Sequence, residues 1–184
     1  MSDTVSAVKA AKKASAEMAA LSTGTKNAAI LAMADAIERN ADAILRANAA
    51  DVEKAAGNIP PEMLNRLRVN ESKIAEMRNS LLSVAEQEDP IGKTISSVTM
   101  DTGLTMYQVR FPIGLIGIVF EARPDVIPQV MSLCLKSGNA VCFKGGSEAH
   151  DSNRILFDIL REAAVSKGVP GEAFVLMESR EDIA

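Results

Sequence analysis

The sequence predicts an α/β fold: a helical amino-terminal region, then a β-hairpin, then part of a parallel sheet. Three observations support this order. Apolar residues recur at steps of three and four through residues 1–90, and β-branched residues alternate with polar ones through residues 91–111. Short apolar runs then alternate with helical patterns through residues 112–184. These ranges are the three predicted regions of the 184-residue chain.

The first region consists of predicted helices that pack together and carry no chemistry. Residues 5–21 form an alanine-rich amphipathic stretch, and residues 22–25 interrupt it with side chains suited to N-capping. A single long helix is predicted next, because one of its faces carries a continuous apolar series. The members of this series are Ile30, Ala34, Ile37, Ala41, Ile44 and Leu45.

Two shorter helices follow, and then the hairpin. Pro60-Pro61 predicts the start of a helix that ends near Leu67, and Asn70 can cap the next helix, which Asp89-Pro90 should stop. The inward positions of that next helix are Ile74, Met77, Leu81, Leu82 and Ala85. The turn residues 101–103 separate two alternating segments, as expected of a β-hairpin. By itself such a hairpin could be a flap on its own domain.

The third region begins with a predicted strand over residues 114–120, an apolar run that suits burial on both faces of a parallel sheet. Glu121 and Arg123 follow it, so they should lie at the carboxyl edge of the sheet, where open α/β folds bind ligands. From the pattern alone, a structural ion pair between these two residues is the simpler interpretation. Pro124 keeps the turn from becoming helical, and Asp125 can cap the helix that follows.

A second strand is predicted over residues 140–143, after a helix that Gly138 ends. The residues Lys144-Gly145-Gly146 come next. A cation beside two residues without side chains allows a phosphate or ribose to approach the backbone, but a solvated turn fits equally well. Asp151 or Ser152 should cap another helix, and residues 173–177 should form a third strand parallel to the other two.

Composition restricts the function. A net charge of −4 without a basic cluster argues against nucleic-acid partners and anionic membrane surfaces. No apolar run is long enough to cross a bilayer, so we expect a cytoplasmic protein.

Cys134 and Cys142 lie at predicted core positions and should act as small apolar side chains. We expect no metal site, because no cluster has ligand spacing, and we expect His150 to be solvated.

Several motifs resemble one family. Residues 112–126 read PIGLIGIVFEARPDV, residues 132–141 read SLCLKSGNAV, and residues 143–153 read FKGGSEAHDSN. With LSTGTKNAAILAMADAI and MLNRLRV upstream, they resemble the gamma-glutamyl phosphate reductases (glutamate-5-semialdehyde dehydrogenases) of the aldehyde dehydrogenase superfamily. The resemblance implies an aldehyde-dehydrogenase-like fold with part of a Rossmann-like NADP-binding sheet in residues 112–184. It also implies that the hairpin forms oligomer contacts.

The resemblance assigns site residues for NADPH or NADP. Lys144 would contact the adenosine ribose or its 2'-phosphate, although many members carry Arg there, which leaves the preference for NADPH over NADH open. The adenosine end would be lined by Gly145, Gly146 and Ser147, and the nicotinamide ribose by Phe120, Glu121 and Ala122. Arg123 would bind the acyl phosphate or the developing oxyanion. Members carry Asn where this chain has Asp125, which leaves a substrate contact from that position in doubt.

The implied activity is the NADPH-dependent reduction of L-glutamyl 5-phosphate to L-glutamate 5-semialdehyde and phosphate in proline biosynthesis. The family's catalytic cysteine lies in a Ser-x-Cys-Asn motif that is absent here, so we expect an amino-terminal part without the catalytic domain and inactive alone. Two alternatives remain: another aldehyde dehydrogenase, or a non-catalytic NADP-binding or subunit-interaction module. The implied partners are further copies of the chain and glutamate 5-kinase.

Overall fold

The computed structural model describes residues 3–177 and confirms the predicted α/β fold class. Five helices come first: α1 (Asp3–Ala20), α2 (Thr23–Arg39), α3 (Ala41–Ala55), α4 (Pro61–Leu67) and α5 (Glu71–Glu86). The hairpin strands are β1 (Thr94–Thr99) and β2 (Thr105–Val109). The sheet region contains β3 (Leu115–Phe120), α6 (Val126–Lys136), β4 (Ala140–Gly145), α7 (His150–Val165) and β5 (Phe174–Met177). Single 3₁₀ turns occupy Ser147–Ala149 and Gly171–Ala173.

Local signals placed several helix ends correctly. The Ser22 hydroxyl accepts a hydrogen bond from the backbone N–H of Thr25 at 3.1 Å, and the Asn70 side chain accepts one from Lys73 at 2.9 Å. Gly138 has a φ of 67° just after α6, a conformation that glycine adopts without a steric penalty. The predictions that Ser22 to Thr25 cap α2, that Asn70 caps α5 and that Gly138 ends α6 are confirmed.

The single long helix predicted after residue 25 is wrong, because the chain breaks at Asn40 into α2 and α3. Asn40 has φ −108° and ψ 15°, and its side-chain amide donates a hydrogen bond to the Ala36 carbonyl at 2.8 Å. A side chain that bonds the preceding turn competes with the helical backbone. The apolar series survives the break, since Ile30, Ile37 and Ile44 are all fully buried.

The parallel sheet has the order β3-β4-β5 in the described residues. The register pairs Leu115 with Ala140 and Phe120 with Gly145. β4 lies in the middle and residues 140–143 are buried, whereas Val119 of β3 is 73% exposed. The prediction that both faces of the first strand are buried is therefore wrong, because the face of β3 that carries Gly117 and Val119 is not covered in the described residues. The second strand is longer than predicted and includes Lys144 and Gly145.

One hydrophobic core joins the helices to the sheet. α1 packs against β3, β4 and β5, while α2 packs between α5 and α7. The largest buried side chains include Met18, Ile30, Leu81, Met131 and Phe143. The hairpin contributes little to this core, because every residue of β1 is exposed. The division at residues 90 and 111 stays a prediction, and residues 178–184 of the third region lie outside the described residues.

A buried ion pair joins α2 to the segment after α5. The Lys26 side chain is 1% exposed and its ammonium lies 2.9 Å from the Asp89 carboxylate. Asp89 also accepts hydrogen bonds from the Thr23 hydroxyl at 2.9 Å and the Ile91 backbone N–H at 3.0 Å. Burial acts to raise the pKa of Asp89, but these hydrogen bonds and the Lys26 charge outweigh it and hold the pKa below its ordinary value.

Candidate functional site

The predicted site residues form two segments that meet at the carboxyl edge of the sheet. β3 ends at Phe120 and β4 ends at Gly145, and these two residues are register partners. The turn after β3 therefore lies beside the turn after β4, as expected for parallel strands. Residues 120–123 and residues 144–147, which contain all eight predicted contacts, are brought to one edge.

A cleft of about 310 Å³ opens beside the end of β4. Its lining residues are Lys144, Gly145, Gly146, Ser147, His150, Asn153, Leu176 and Met177. The four residues predicted for the adenosine end thus share one cleft, whereas Phe120, Glu121 and Ala122 are not part of its lining. The Lys144 ammonium donates a hydrogen bond to the Gly145 carbonyl at 3.0 Å, which keeps this cation beside the cleft. A cleft of this size suits part of a nucleotide.

Gly145 is required by the packing of the protein itself. A Cβ at this position would overlap the side-chain amide of Asn153 and would lie 3.3 Å from Cζ of Phe120. Asn153 is 3% exposed, and its side-chain oxygen is buried without a hydrogen-bond partner. The sequence alone does not predict a role for Asn153, because nothing local distinguishes an asparagine in the first turn of a helix.

The turn after β3 is held in a strained conformation at Ala122. Its φ of 48° is the only positive φ of a non-glycine residue in the described part of the chain. The Ala122 side chain is buried in a small apolar cluster with Ala55, Leu67 and Ala149. Its backbone N–H donates a hydrogen bond to the Glu148 carboxylate at 2.5 Å. Glu148 is a second residue that sequence reasoning missed.

Arg123 extends from this turn toward a different cleft. Its guanidinium lies 2.8 Å from the Asp125 carboxylate, and this hydrogen bond raises the pKa of Arg123. The surrounding cleft, of about 540 Å³, is lined by Arg66, Lys73, Glu76, Arg123 and Asp125. The pairing contradicts two expectations: Asp125 makes no capping hydrogen bond to α6, and the partner of Arg123 is Asp125 instead of Glu121.

A residue from another helix caps α7. The Asp51 carboxylate of α3 accepts hydrogen bonds from the backbone N–H groups of Asp151 at 3.2 Å and Ser152 at 2.7 Å. The Ser152 hydroxyl also donates to Asp51 at 2.7 Å and accepts from the Asn48 side chain at 3.0 Å. The expectation that Asp151 or Ser152 caps this helix is wrong, because α7 begins earlier, at His150, and a buried carboxylate satisfies its first donors.

Replacing Asp51 with alanine should lower the free energy of unfolding by about 2 kcal/mol, since two N–H groups and one hydroxyl lose a charged acceptor. Denaturant titration of the variant measures this. Asp42→Ala is a suitable control, because Asp42 is an aspartate in the first turn of the same helix. Equal stability of the Asp51 variant and the native chain would mean that the cap contributes nothing.

A sequence profile of the aldehyde dehydrogenase family matches residues 1–183. The chain belongs to this family. Aldehyde dehydrogenases use a nicotinamide cofactor, and the half-buried Lys144 cation beside the Ser147 hydroxyl is a donor set that fits a ribose or a phosphate of such a cofactor. The predicted superfamily is thereby confirmed.

Several similar proteins are gamma-glutamyl phosphate reductases, as the resemblance implied. That of Methanosarcina barkeri is 52% identical over 98% of this chain and 42% of its own length. The crystal structure of the Thermotoga maritima reductase superposes with a TM-score of 0.91 at 34% identity, over 97% of this chain and 43% of that one. The crystal structure of the Saccharomyces cerevisiae reductase gives a TM-score of 0.92, also at 34% identity, over 98% of this chain and 47% of that one. The chain thus spans about two fifths of the length of the curated relatives it matches.

The family resemblance implies a cysteine nucleophile. Neither Cys134 nor Cys142 is suited to that role. Cys134 is 5% exposed and Cys142 is 4% exposed. Burial raises the pKa of each thiol to about 11, so almost no reactive thiolate forms near neutral pH. Both residues pack as the small apolar side chains that the sequence predicts. His150 is exposed and lines the cleft beside Lys144.

Residues 3–177 contain neither a metal-binding cluster nor a membrane-spanning helix. No group of three or more His, Cys, Asp or Glu side chains in this range could hold a metal ion. None of the helices described has the length and apolar character needed to span a membrane.

Proposed function

We propose that this chain provides the NADP(H)-binding part of a gamma-glutamyl phosphate reductase, which reduces L-glutamyl 5-phosphate to L-glutamate 5-semialdehyde and phosphate. The observation that carries this proposal is the identity of about one half, across nearly the whole chain, to relatives of that name. Acetylating and propionaldehyde dehydrogenases are only 16–20% identical. This difference favours the phosphate reductase over another aldehyde dehydrogenase.

The cofactor assignment divides the site into two sides. Lys144 would contact the adenosine ribose or its 2'-phosphate, and Gly145, Gly146 and Ser147 would line the adenosine end. The cleft that these four residues share supports this assignment. Phe120, Glu121 and Ala122 would lie along the nicotinamide ribose. The buried methyl of Ala122 limits its contact to the backbone, and the Phe120 ring stacks edge-on against Phe143 with centroids 6.3 Å apart. When bound, NADPH would supply a hydride to the acyl carbon.

Arg123 is the proposed substrate-binding residue. A guanidinium can make two parallel hydrogen bonds to a phosphate, and the Arg123 side chain is 52% exposed. Its cleft contains two further cations, Arg66 and Lys73, and the carboxylates of Glu76 and Asp125, so one positive charge is in excess. This charge suits the acyl phosphate of L-glutamyl 5-phosphate. Asp125 would compete with the phosphate for the same guanidinium, which is the consequence of an aspartate where members of the family carry asparagine.

The hairpin supports a proposed oligomer. Its strands expose a series of apolar side chains, a feature typical of interaction surfaces. These are Ile95, Val98, Met106, Tyr107 and Val109. A protein without catalytic activity could use the same apolar surface to bind another subunit. The hairpin therefore also favours the second candidate function, a subunit-interaction module. A cytoplasmic location and a functional link to the glutamate 5-kinase that makes the acyl phosphate belong to the same proposal.

Two measurements test the proposed function. The chain should bind NADPH, and the change in NADPH fluorescence during titration with the chain measures this binding. The polypeptide expressed from the complete reading frame should oxidise glutamate 5-semialdehyde with NADP and phosphate. Binding without turnover would favour the interaction module. Absence of both would exclude the reductase.

Replacing Lys144 with alanine should weaken NADPH binding by about tenfold and leave NADH binding within about twofold, because only NADPH carries the 2'-phosphate. The dissociation constants of both cofactors are measured by titration. Lys167→Ala, at an exposed lysine just beyond α7, serves as the control. An equal loss for both cofactors would place Lys144 away from the 2'-phosphate.

A further inference from the structure

The conformation of Ala122 needs support from the rest of the structure. At a φ of 48°, the side chain of an L-residue crowds the neighbouring carbonyl oxygen, so an alanine adopts this conformation only where other contacts hold it. Its neighbours Glu121 and Arg123 belong to the proposed contacts with cofactor and substrate. What fixes Ala122 therefore also fixes the direction in which those two side chains leave the turn.

Two contacts hold Ala122. Its methyl group is buried against Ala55, Leu67 and Ala149, and its N–H is bound by the Glu148 carboxylate at 2.5 Å. Glu148 belongs to the 3₁₀ turn that follows β4, 26 residues further along the chain. The same carboxylate lies against Gly146, where a Cβ would overlap it. Glu148 thus joins the turn after β3 to the turn after β4.

We propose that Glu148 is a positioning residue that holds these two turns together in the geometry that binds the cofactor. Its carboxylate supplies the hydrogen bond that fixes Ala122, and the absence of a side chain at Gly146 provides the space that this carboxylate occupies. The adenosine-side residues and the nicotinamide-side residues then keep a fixed separation. The link to NADPH rests on the proposed function, whereas the connection between the turns does not.

The connection itself is tested by amide hydrogen exchange at Ala122. Glu148→Ala should speed this exchange by at least about tenfold, because the buried N–H loses its acceptor. In Glu148→Gln the exchange rate should stay within about twofold of that in the native chain, since the amide oxygen of glutamine also accepts a hydrogen bond. Unchanged exchange in the alanine variant would overturn the proposal, whether or not the chain binds NADPH.

Its effect on the site is tested by NADPH titration. Glu148→Ala should weaken binding by about tenfold, and Glu148→Gln should keep it within about twofold. Adding Ala122→Gly to Glu148→Ala should raise the affinity for NADPH again by at least about threefold, because glycine adopts positive φ without a steric penalty. The matched control is Glu172→Ala, since Glu172 also occupies the middle of a 3₁₀ turn, Gly171–Ala173, and is exposed. It should bind like the native chain.

The outcomes separate the possible roles of Glu148. If the glutamine variant loses as much affinity as the alanine variant, and glycine at position 122 restores none, the carboxylate itself contacts the ligand and the positioning role is wrong. If all variants bind alike, the two turns do not need the connection, and the proposal is again overturned. Failure of the native chain to bind NADPH would instead reject the cofactor assignment, while hydrogen exchange at Ala122 would still decide the connection.

Discussion

Replacing Arg123 with alanine should lower the kcat of the proposed reductase by about a hundredfold, because a guanidinium aimed at developing negative charge commonly contributes that much. The side chain is available for this role, since it is about half exposed and extends into a cleft with Arg66 and Lys73. Initial rates of glutamate 5-semialdehyde oxidation with NADP and phosphate measure the effect. The kcat of Arg123→Lys should lie between those of the native enzyme and Arg123→Ala, because an ammonium keeps the charge but not the paired donors.

Asp125 provides a second variant for the same hypothesis. Asp125→Asn removes the carboxylate that pairs with Arg123, so the KM for phosphate should fall while kcat changes little. Arg39→Ala, at an exposed arginine in the last turn of α2, should behave like the native enzyme. If kcat is unchanged in Arg123→Ala, the Arg123–Asp125 pair has only a structural role.

Replacing Asp89 with asparagine should lower the free energy of unfolding at neutral pH by about 3 kcal/mol, because the buried Lys26 ammonium loses its counter-charge. The pKa of Asp89 is lower in the folded chain than the 3.8 of the unfolded one. Its contribution to stability is therefore complete above the unfolded pKa and is lost as pH falls through the folded pKa. The native chain and the variant should therefore approach each other in stability as pH falls through the folded pKa of Asp89.

Denaturant titrations from pH 7 down to pH 2.5 test this prediction. Glu88→Gln is the control, because Glu88 is adjacent in sequence and also pairs with a lysine, Lys93, but its side chain is 85% exposed. Exposed pairs contribute little, so this variant should follow the native chain at every pH. A difference between the native chain and Asp89→Asn that stays constant with pH would show that the charge of Asp89 is not the cause.

The sequence predicts those parts of the fold that depend on neighbouring residues. Ser22 and Asn70 cap helices through residues three positions ahead, and Gly138 ends α6 by its own backbone conformation. These capping and helix-ending signals involve only a few consecutive residues, so the sequence alone reveals them. The break at Asn40 gives a weaker signal, because an asparagine inside an apolar series is tolerated in many helices.

The site is predicted less completely, because its contacts join distant residues. Sequence identifies residues 120–123 and 144–147, since both segments follow apolar strands and the strands are parallel. It does not identify Glu148 as the acceptor for Ala122, nor Asp51 as the cap of α7, since these partners are 26 and 101 residues apart. The exposure of Val119 also escapes prediction, because it depends on which other elements cover that face of β3.

The Asn48, Asp51 and Ser152 network has a consequence for how this sequence can vary. A change at Asp51 leaves the N–H groups of Asp151 and Ser152 without this acceptor unless the surroundings of position 152 change with it. Asn48 is constrained through the Ser152 hydroxyl. Substitutions at positions separated by 101 and 104 residues should therefore be correlated among homologues. Such covariation would record the contact between α3 and α7 in sequences alone, without any structure.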